Sequence, residues 1–228
     1  MSDAIDAAGA DWPALRRRFA GESLARVLAF CGWQAETGER AGGGLGAEVI
    51  FLRTGDKSRH FRVGPVELFW RGAPLAGSAP DWPRRAAPEA ARFFLTARPL
   101  AEPVVLDCDL AARLDSGNPF YFTCYTHKRL RALLSRPEPE GLFGLAPFTG
   151  EGRALALAID HFPASVRRAA ETADPWPVNR YALDLAAAVR DLLHNGAWAL
   201  NRPLLAAAET ALGNALGLLG LRDRRHSP

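Results

Sequence analysis

A short segment in the second half of the chain combines aromatic and basic side chains. Residues 118–129 have the sequence NPFYFTCYTHKR, which places Tyr121, Tyr125, Lys128 and Arg129 close together at the start of a predicted helix. Aromatic faces beside cations suit stacking on unpaired RNA bases and the binding of phosphates. The same aromatic residues would also serve as ordinary core residues, and composition alone leaves both interpretations open.

No other pattern in the sequence predicts a catalytic or metal site. The chain lacks the phosphate-loop, zinc-protease and serine-hydrolase motifs. Glycines 42–44 lack a following Lys-Ser pair, and Asp107 with Asp109 supplies too few ligands for a metal ion. We therefore predict no catalytic residue, no metal and no cofactor. The five histidines are scattered and are interpreted as surface or cap residues: His60, His127, His161, His194 and His226.

Composition predicts a soluble globular protein without a membrane span. The chain has 228 residues, of which 48% are hydrophobic and 23% charged, and no apolar run approaches the length of a spanning helix. Three widely spaced cysteines and the absence of a secretory signal predict a cytoplasmic location. The net charge is only +3, which permits nucleic-acid binding but does not by itself argue for it.

The first half of the chain is predicted to mix helices with short strands. Helical spacing covers residues 14–31, and five glycines within residues 38–46 predict a flexible connector without regular structure. Residues 47–71 predict a short antiparallel meander. A Pro/Gly/Ala-rich loop is expected over residues 72–88, and a helix over residues 88–98 whose Phe-Phe-Leu run packs inward.

From Pro119 onward the sequence predicts helices joined by short Pro/Gly loops. The apolar periodicity covers residues 119–134, 151–171, 177–200 and 203–219, with an interruption at Pro163. Four such amphipathic helices predict an antiparallel bundle. The fold class is therefore α+β, with a small α/β portion followed by an all-α helical bundle.

The segment at 118–129 closely resembles the N-P-V-F-Y-V-Q-Y-A-H-A-R helix that begins the anticodon-binding (DALR) domain of arginyl-tRNA synthetases. Tyr121 lies in the aromatic pair of that motif, and Cys124 replaces its glutamine. Weaker likenesses follow in the family's order, in GESLARVLAFCGW, PEAARFFLTARPLAEPVVLDCDLA, EGRALALAIDHFPASVRRAAETADPWPVNRYALDLA and ETALGNALGLLGL. Six residues carry the main resemblance: Asn118, Pro119, Tyr121, Tyr125, His127 and Arg129.

The departures from the family pattern concern catalysis. The H-I-G-H signature, whose histidines stabilise the ATP phosphates in class I synthetases, falls on residues 11–14, which are Asp-Trp-Pro-Ala. Arg16 alone remains from the end of that signature. The K-M-S-K loop falls on residues 75–79, which contain no lysine, and the catalytic body falls between Glu39 and Glu48, where the glycine-rich residues 41–46 are expected to form only a linker. The resemblance therefore implies a protein that has lost aminoacylation.

The resemblance divides the chain into a degenerate catalytic-domain remnant, residues 1–117, and a DALR-like bundle, residues 118–228. It implies a non-catalytic protein that binds arginine-type tRNA or acts as an adaptor for a partner enzyme. Two alternatives stay open: a protein-interaction module of a biosynthetic or regulatory complex without RNA binding, and residual ATP-dependent arginine–tRNA ligase activity. The expected RNA-binding residues are Tyr121, Tyr125, His127, Lys128, Arg129, Arg167, Arg168, Arg222, Arg224 and Arg225.

Overall fold

The computed structural model describes residues 12–33, 36–39, 49–54, 57–70, 72–74, 88–137, 150–194 and 201–221. The glycine linker 41–46, residues 75–79, and Arg222, Arg224 and Arg225 lie outside the described residues. Within the described ranges no helix is long and apolar enough to cross a membrane. The elements of the first half are α1 (Trp12–Phe30), β1 (Glu36–Glu39), β2 (Val49–Thr54), β3 (Lys57–Arg62), β4 (Val66–Trp70), β5 (Ala73–Pro74), α2 (Pro88–Leu95), β6 (Val104–Asp107) and α3 (Cys108–Ala112).

The strands in the described ranges form two separate three-stranded sheets, which corrects the predicted single meander. Strands β1, β2 and β3 are antiparallel, whereas β4 pairs in parallel with β6 and antiparallel with β5. Strand β4 pairs with β6 and not with β3, because the backbone at Gly64 approaches the segment before β6 closely. Its N–H donates to the Leu100 carbonyl at 2.6 Å, and an added Cβ would lie 2.3 Å from the Glu102 oxygen. The following strand therefore aligns with β6, Val66 opposite Val104.

Four further details of the first half differ from the sequence-based expectations. Strand β1 covers residues 38–39 of the predicted connector, because pairing with β2 supplies hydrogen bonds that the local sequence does not reveal. Strand β5 lies within the predicted 72–88 loop, and β6 was not predicted. The helix predicted over residues 88–98 ends at Leu95, and its Phe93, Phe94 and Leu95 are buried as expected.

The second half is helical, as predicted, but its described residues form five helices in place of four. The predicted helix at 151–171 divides at His161, one residue before Phe162 and Pro163 begin the next helix, since proline fits only a first turn. The helix predicted to reach residue 200 is described as far as His194. The helices are α4 (Pro119–Leu134), α5 (Glu151–Asp160), α6 (Phe162–Thr172), α7 (Trp176–His194) and α8 (Arg202–Leu218).

The helical half packs directly against the first half. Its apolar core, formed by α4 to α8, also includes Val27 of α1 and Phe93 of α2. The Asn179 amide donates to the Phe93 carbonyl at 2.9 Å, and the Asp174 carboxylate accepts from the Leu100 N–H at 2.8 Å. The Ser23 hydroxyl donates to the Leu219 carbonyl at 3.4 Å. The domain boundary at 117/118 stays a prediction.

A fully buried arginine lies at the centre of the first half. Arg16 of α1 donates to backbone carbonyls of Leu95 (3.2 Å), Gly64 (2.7 Å), Glu102 (2.7 Å) and Pro99 (3.0 Å). Its guanidinium thereby joins α1 to the segment before β4 and to the turn that follows α2. Arg16, which the family resemblance identifies as the last residue left of an ATP-binding signature, therefore has a structural role in this fold.

Candidate nucleic-acid interface

The helix that carries the aromatic and basic residues is fixed at its start by a polar cap. The Asn118 side chain accepts from the N–H groups of Phe120 and Tyr121, and Pro119 occupies the first turn. Asn118 is buried, and its amide also donates to the Ala111 and Arg113 carbonyls. These bonds fix the direction in which α4 leaves α3.

One side of α4 faces solvent and carries two stacked tyrosines. The rings of Tyr121 and Tyr125 are 5.8 Å apart between centroids and lie 11° from parallel. Thr123, Thr126 and Leu130 point to the opposite side and are buried. The Tyr125 side chain is half exposed, at 50%, so this residue does not belong to the core. The interpretation of Tyr125 as a core residue is therefore wrong.

The basic residues of the segment separate into two groups. Lys128 and Arg129 are exposed, three and four positions after Tyr125, which places them within one helical turn of its ring. In the described part of the chain, the Arg129 guanidinium has no ion-pair partner. We name the surface formed by Tyr121, Tyr125, Lys128 and Arg129 the tyrosine–arginine face.

His127 lies away from this face. Its Nε2 atom is 3.1 Å from the Glu209 carboxylate of α8, and its side chain is mostly buried. Arg131 lies on the same flank, with its Nε 4.0 Å from that carboxylate. The structure thus gives His127 a packing role between α4 and α8 and does not place it beside the tyrosine rings.

The arginines predicted on the next helices also lie elsewhere. Arg167 and Arg168 are exposed on α6, which packs against α1 and α7, whereas α4 packs against α7 and α8. Arg168 lines a cleft of about 340 Å³ whose other walls include Trp176 and Tyr181 of α7. Nothing in the sequence indicates this cleft, because Tyr181 and its neighbours follow an ordinary helical core periodicity.

The electrostatics of the cleft differ from those of the tyrosine–arginine face. Burial raises the pKa of the Tyr181 phenol well above its usual value, so the group stays protonated at neutral pH. The Arg180 guanidinium is held by Asp184 at 2.9 Å, Nε to Oδ2. Nowhere in the described ranges do three or more His, Cys, Asp or Glu residues group as a metal site would require.

The described positions of the H-I-G-H signature carry no histidine. Trp12 is buried at the start of α1, and Pro13 and Ala14 follow it, so no imidazole is available at these three positions. Asp11 and residues 75–79 lie outside the described residues, and their sequences contain neither histidine nor lysine. Arg16, buried among carbonyl oxygens, is not accessible to a nucleotide.

Comparison with known proteins identifies the kind of protein that has this arrangement of strands and helices. No family model matches the chain. A crystal structure of a Campylobacter jejuni protein described as an arginyl-tRNA synthetase has the same fold. It superposes with a TM-score of 0.60 over 72% of this chain and 40% of that one, at 17% identity. Over the superposed part, the two chains share their fold.

Sequence comparison makes the relationship specific. The arginine–tRNA ligase of Desulfitobacterium hafniense is 30% identical over 151 residues, and that of Shouchella clausii is 30% identical over 148 residues. Each match covers 58% of this chain and 27% of the ligase. The chain is homologous to arginyl-tRNA synthetases over this stretch, and it spans about a quarter of the length of these relatives.

Proposed function

We propose that this protein binds arginine-type tRNA through the tyrosine–arginine face of α4 and does not itself aminoacylate it. One observation carries the proposal: Tyr125, half exposed and stacked on Tyr121, lies one helical turn before Arg129, which has no ion-pair partner in the described structure. The homology to arginine–tRNA ligases supports tRNA as the nucleic acid. The bound tRNA would be presented to a partner enzyme, which makes the protein an adaptor.

The chemistry of this face suits unpaired nucleotides. A base that stacks on Tyr125 extends an aromatic pair that is already formed, so little side-chain freedom is lost on binding. Each such stack contributes about 1–3 kcal/mol and is tolerant of base identity. Arg129 and Lys128 then lie where the flanking phosphates of a loop would pass.

The proposed absence of catalysis is argued from the missing positive charge at the two signature positions. Aminoacylation builds negative charge on the ATP phosphates, and positioned cations or hydrogen-bond donors must stabilise it. Positions 11–14 carry no histidine and positions 75–79 no lysine. We propose that this chain forms no aminoacyl adenylate. Arginine-dependent exchange of pyrophosphate into ATP, in the presence of tRNA, is therefore expected to equal a buffer blank, and exchange above the blank would establish residual ligase activity.

The binding proposal is tested by a titration of labelled arginine-type tRNA at about 50 mM salt, where electrostatic attraction is strongest. Arg129→Gln should weaken binding and lower the slope of log K against log salt by about 0.7–0.9. Arg131→Gln is the matched control, because it removes the same charge from the same helix on the flank that faces Glu209. Tyr125→Leu should weaken binding by about fivefold or more with an unchanged salt slope.

These variants are expected to fold normally, so a loss of tRNA binding reports on the binding surface. Tyr125 is 50% exposed and Arg129 lies at the surface, so each substitution should change the free energy of unfolding by less than about 1 kcal/mol. The proposal is wrong if the wild-type protein prefers tRNA no more than a random duplex of equal length. Equal effects of Arg129→Gln and Arg131→Gln would place the binding surface elsewhere.

The second candidate function is a protein-interaction module without RNA binding. The small net charge of +3 favours it, as do two exposed aromatic residues at the end of α1, Phe30 and Trp33, with 55% and 56% of their surface accessible. Failure of the tRNA titration together with specific capture of one stoichiometric protein partner would select this function.

A further inference from the structure

The cleft between α5, α6 and α7 has the construction of a ligand site. Its volume is about 340 Å³, near the lower limit of small-molecule sites. The half-buried Trp176 at the start of α7 supplies a flat indole wall, and Pro177 and Leu185 add apolar surface. Tyr181 lies between these two residues on the same helix and is 6% exposed. A ligand with a planar body could therefore lay one face against the indole.

The hydroxyl of Tyr181 is an unsatisfied donor. Its oxygen is buried and has no hydrogen-bond partner among the residues that the structure describes. The ring is held in place by Phe162, whose centroid lies 5.4 Å away. Because burial raises the pKa of this phenol, its proton is retained and remains available for donation. A buried hydroxyl without a partner is unfavourable, so a bound acceptor would gain the hydrogen bond that folding leaves unmade.

The charged groups of the cleft are not balanced. Arg180 is neutralised by Asp184, whereas the exposed Arg168 has no ion-pair partner in the described ranges. The cleft therefore combines one uncompensated cation with a carboxylate and a hydroxyl, those of Asp184 and Ser165, that can accept hydrogen bonds. An anion that also has a planar, hydrogen-bonding body matches all of these features.

We propose that this cleft binds a single unpaired ribonucleotide, with its base against the Trp176 indole and its phosphate on Arg168. A simple anion would leave the indole wall unused, and an apolar ligand would leave Arg168 and the Tyr181 hydroxyl unpaired. The volume admits one nucleotide. The nucleotide comes either from solution or from a bound RNA. Only the second source rests on the proposed tRNA-binding function.

The first arm of the test uses free nucleotides. Saturation-transfer NMR and calorimetry are performed with AMP, GMP, CMP and UMP, and with inorganic phosphate and adenosine as partial probes. The wild-type protein should bind at least one nucleotide and should bind phosphate and adenosine each more weakly. Arg168→Gln and Trp176→Leu should each weaken nucleotide binding by about fivefold or more. Arg153→Gln is the matched control, because Arg153 is exposed on α5 and does not line the cleft.

Tyr181→Phe separates a ligand role from a packing role. The substitution removes an unpartnered buried hydroxyl and keeps the ring, so the melting temperature should stay equal or rise. Nucleotide affinity should nevertheless fall by about threefold to tenfold. The proposal is overturned if Tyr181→Phe, Arg168→Gln and Trp176→Leu all leave nucleotide affinity unchanged. It is also overturned if no free nucleotide binds the protein and Trp176→Leu leaves tRNA binding unchanged.

The second arm uses tRNA and distinguishes this proposal from the proposed function. If free nucleotides bind and tRNA does not, the cleft is confirmed and the tRNA-binding function is wrong. If tRNA binds and Trp176→Leu weakens it, the nucleotide is supplied by the RNA. If tRNA binds with Arg129 dependence, while cleft variants change neither tRNA nor nucleotide binding, the proposed function stands and the cleft proposal is wrong.

Discussion

Replacement of Arg16 by methionine, which has a similar volume and no donors, should destabilise the protein strongly. The wild-type guanidinium makes four hydrogen bonds of 3.2 Å or less to backbone carbonyls, and the side chain has no exposed surface. Arg16→Met relieves the desolvation of a buried cation but leaves these carbonyls without their donor. At about 1 kcal/mol for each orphaned acceptor, the free energy of unfolding should fall by about 3–5 kcal/mol.

Urea denaturation followed by circular dichroism at 222 nm measures this loss as a shift in midpoint at constant slope. Arg18→Met is the control on the same helix, because Arg18 is half exposed and pairs with Glu22 one turn away, so it should cost only about 0.3–0.5 kcal/mol. Arg16→Lys should also destabilise, because a single ammonium cannot reproduce the planar fork that reaches several carbonyls. A loss below about 1 kcal/mol in Arg16→Met would refute this account and indicate that water replaces the guanidinium.

Three other outcomes are expected. Iodoacetamide at about pH 8, with detection by mass spectrometry, should label the exposed Cys31 and spare Cys108 until the protein is unfolded, because burial raises the pKa of the Cys108 thiol to about 11. Gly64→Ala should lower the free energy of unfolding by about 2 kcal/mol or more in thermal melts, since its Cβ would lie 2.3 Å from the Glu102 oxygen; an unchanged melting temperature would contradict the close approach. Burial raises the pKa of the Asp174 carboxyl above 3.8, so the folded state binds this proton more tightly than the unfolded state does. The free energy of unfolding should therefore fall as pH rises from 3.8 towards the raised pKa. Urea titrations across about pH 4–6 should show this fall in the wild-type protein, and Asp174→Asn should lack it.

The helices could be predicted where local chemistry determines them. Asn118 and Pro119 form a cap and first turn that fix the start of α4, and its observed bounds equal the predicted ones. Pro163 correctly predicted an interruption, although the break lies at His161 and produces two helices. Signals of this kind depend on neighbouring residues and can be recognised in one sequence.

Features that depend on distant partners were not predicted. The pairing of β4 with β6 follows from the contact between Gly64 and Glu102. The residues near either position in the sequence do not indicate that contact. His127 lies two positions after Tyr125, which already turns it away from the tyrosine rings, but its partner Glu209 is 82 residues later and could not be predicted. The cleft escaped notice for the same reason, because Tyr181 has the periodicity of a core residue and its missing partner is visible only in three dimensions.

The hydrogen bonds of Arg16 also have a consequence for how the chain is made. Its carbonyl partners lie 48 to 86 residues further along the sequence. At about 5–20 residues per second, a ribosome needs about 4–17 s to add the 86 residues that separate Arg16 from Glu102. During that interval α1 cannot dock, and apolar residues such as Phe19 and Leu24 remain uncovered.

The delay extends further, because the Ser23 hydroxyl of α1 reaches the Leu219 carbonyl, 196 residues away. Helix α1 is synthesised first among the described elements, but its tertiary contacts are therefore completed last. A nascent chain of this protein should bind chaperones through α1 until the segment after α8 has left the ribosome.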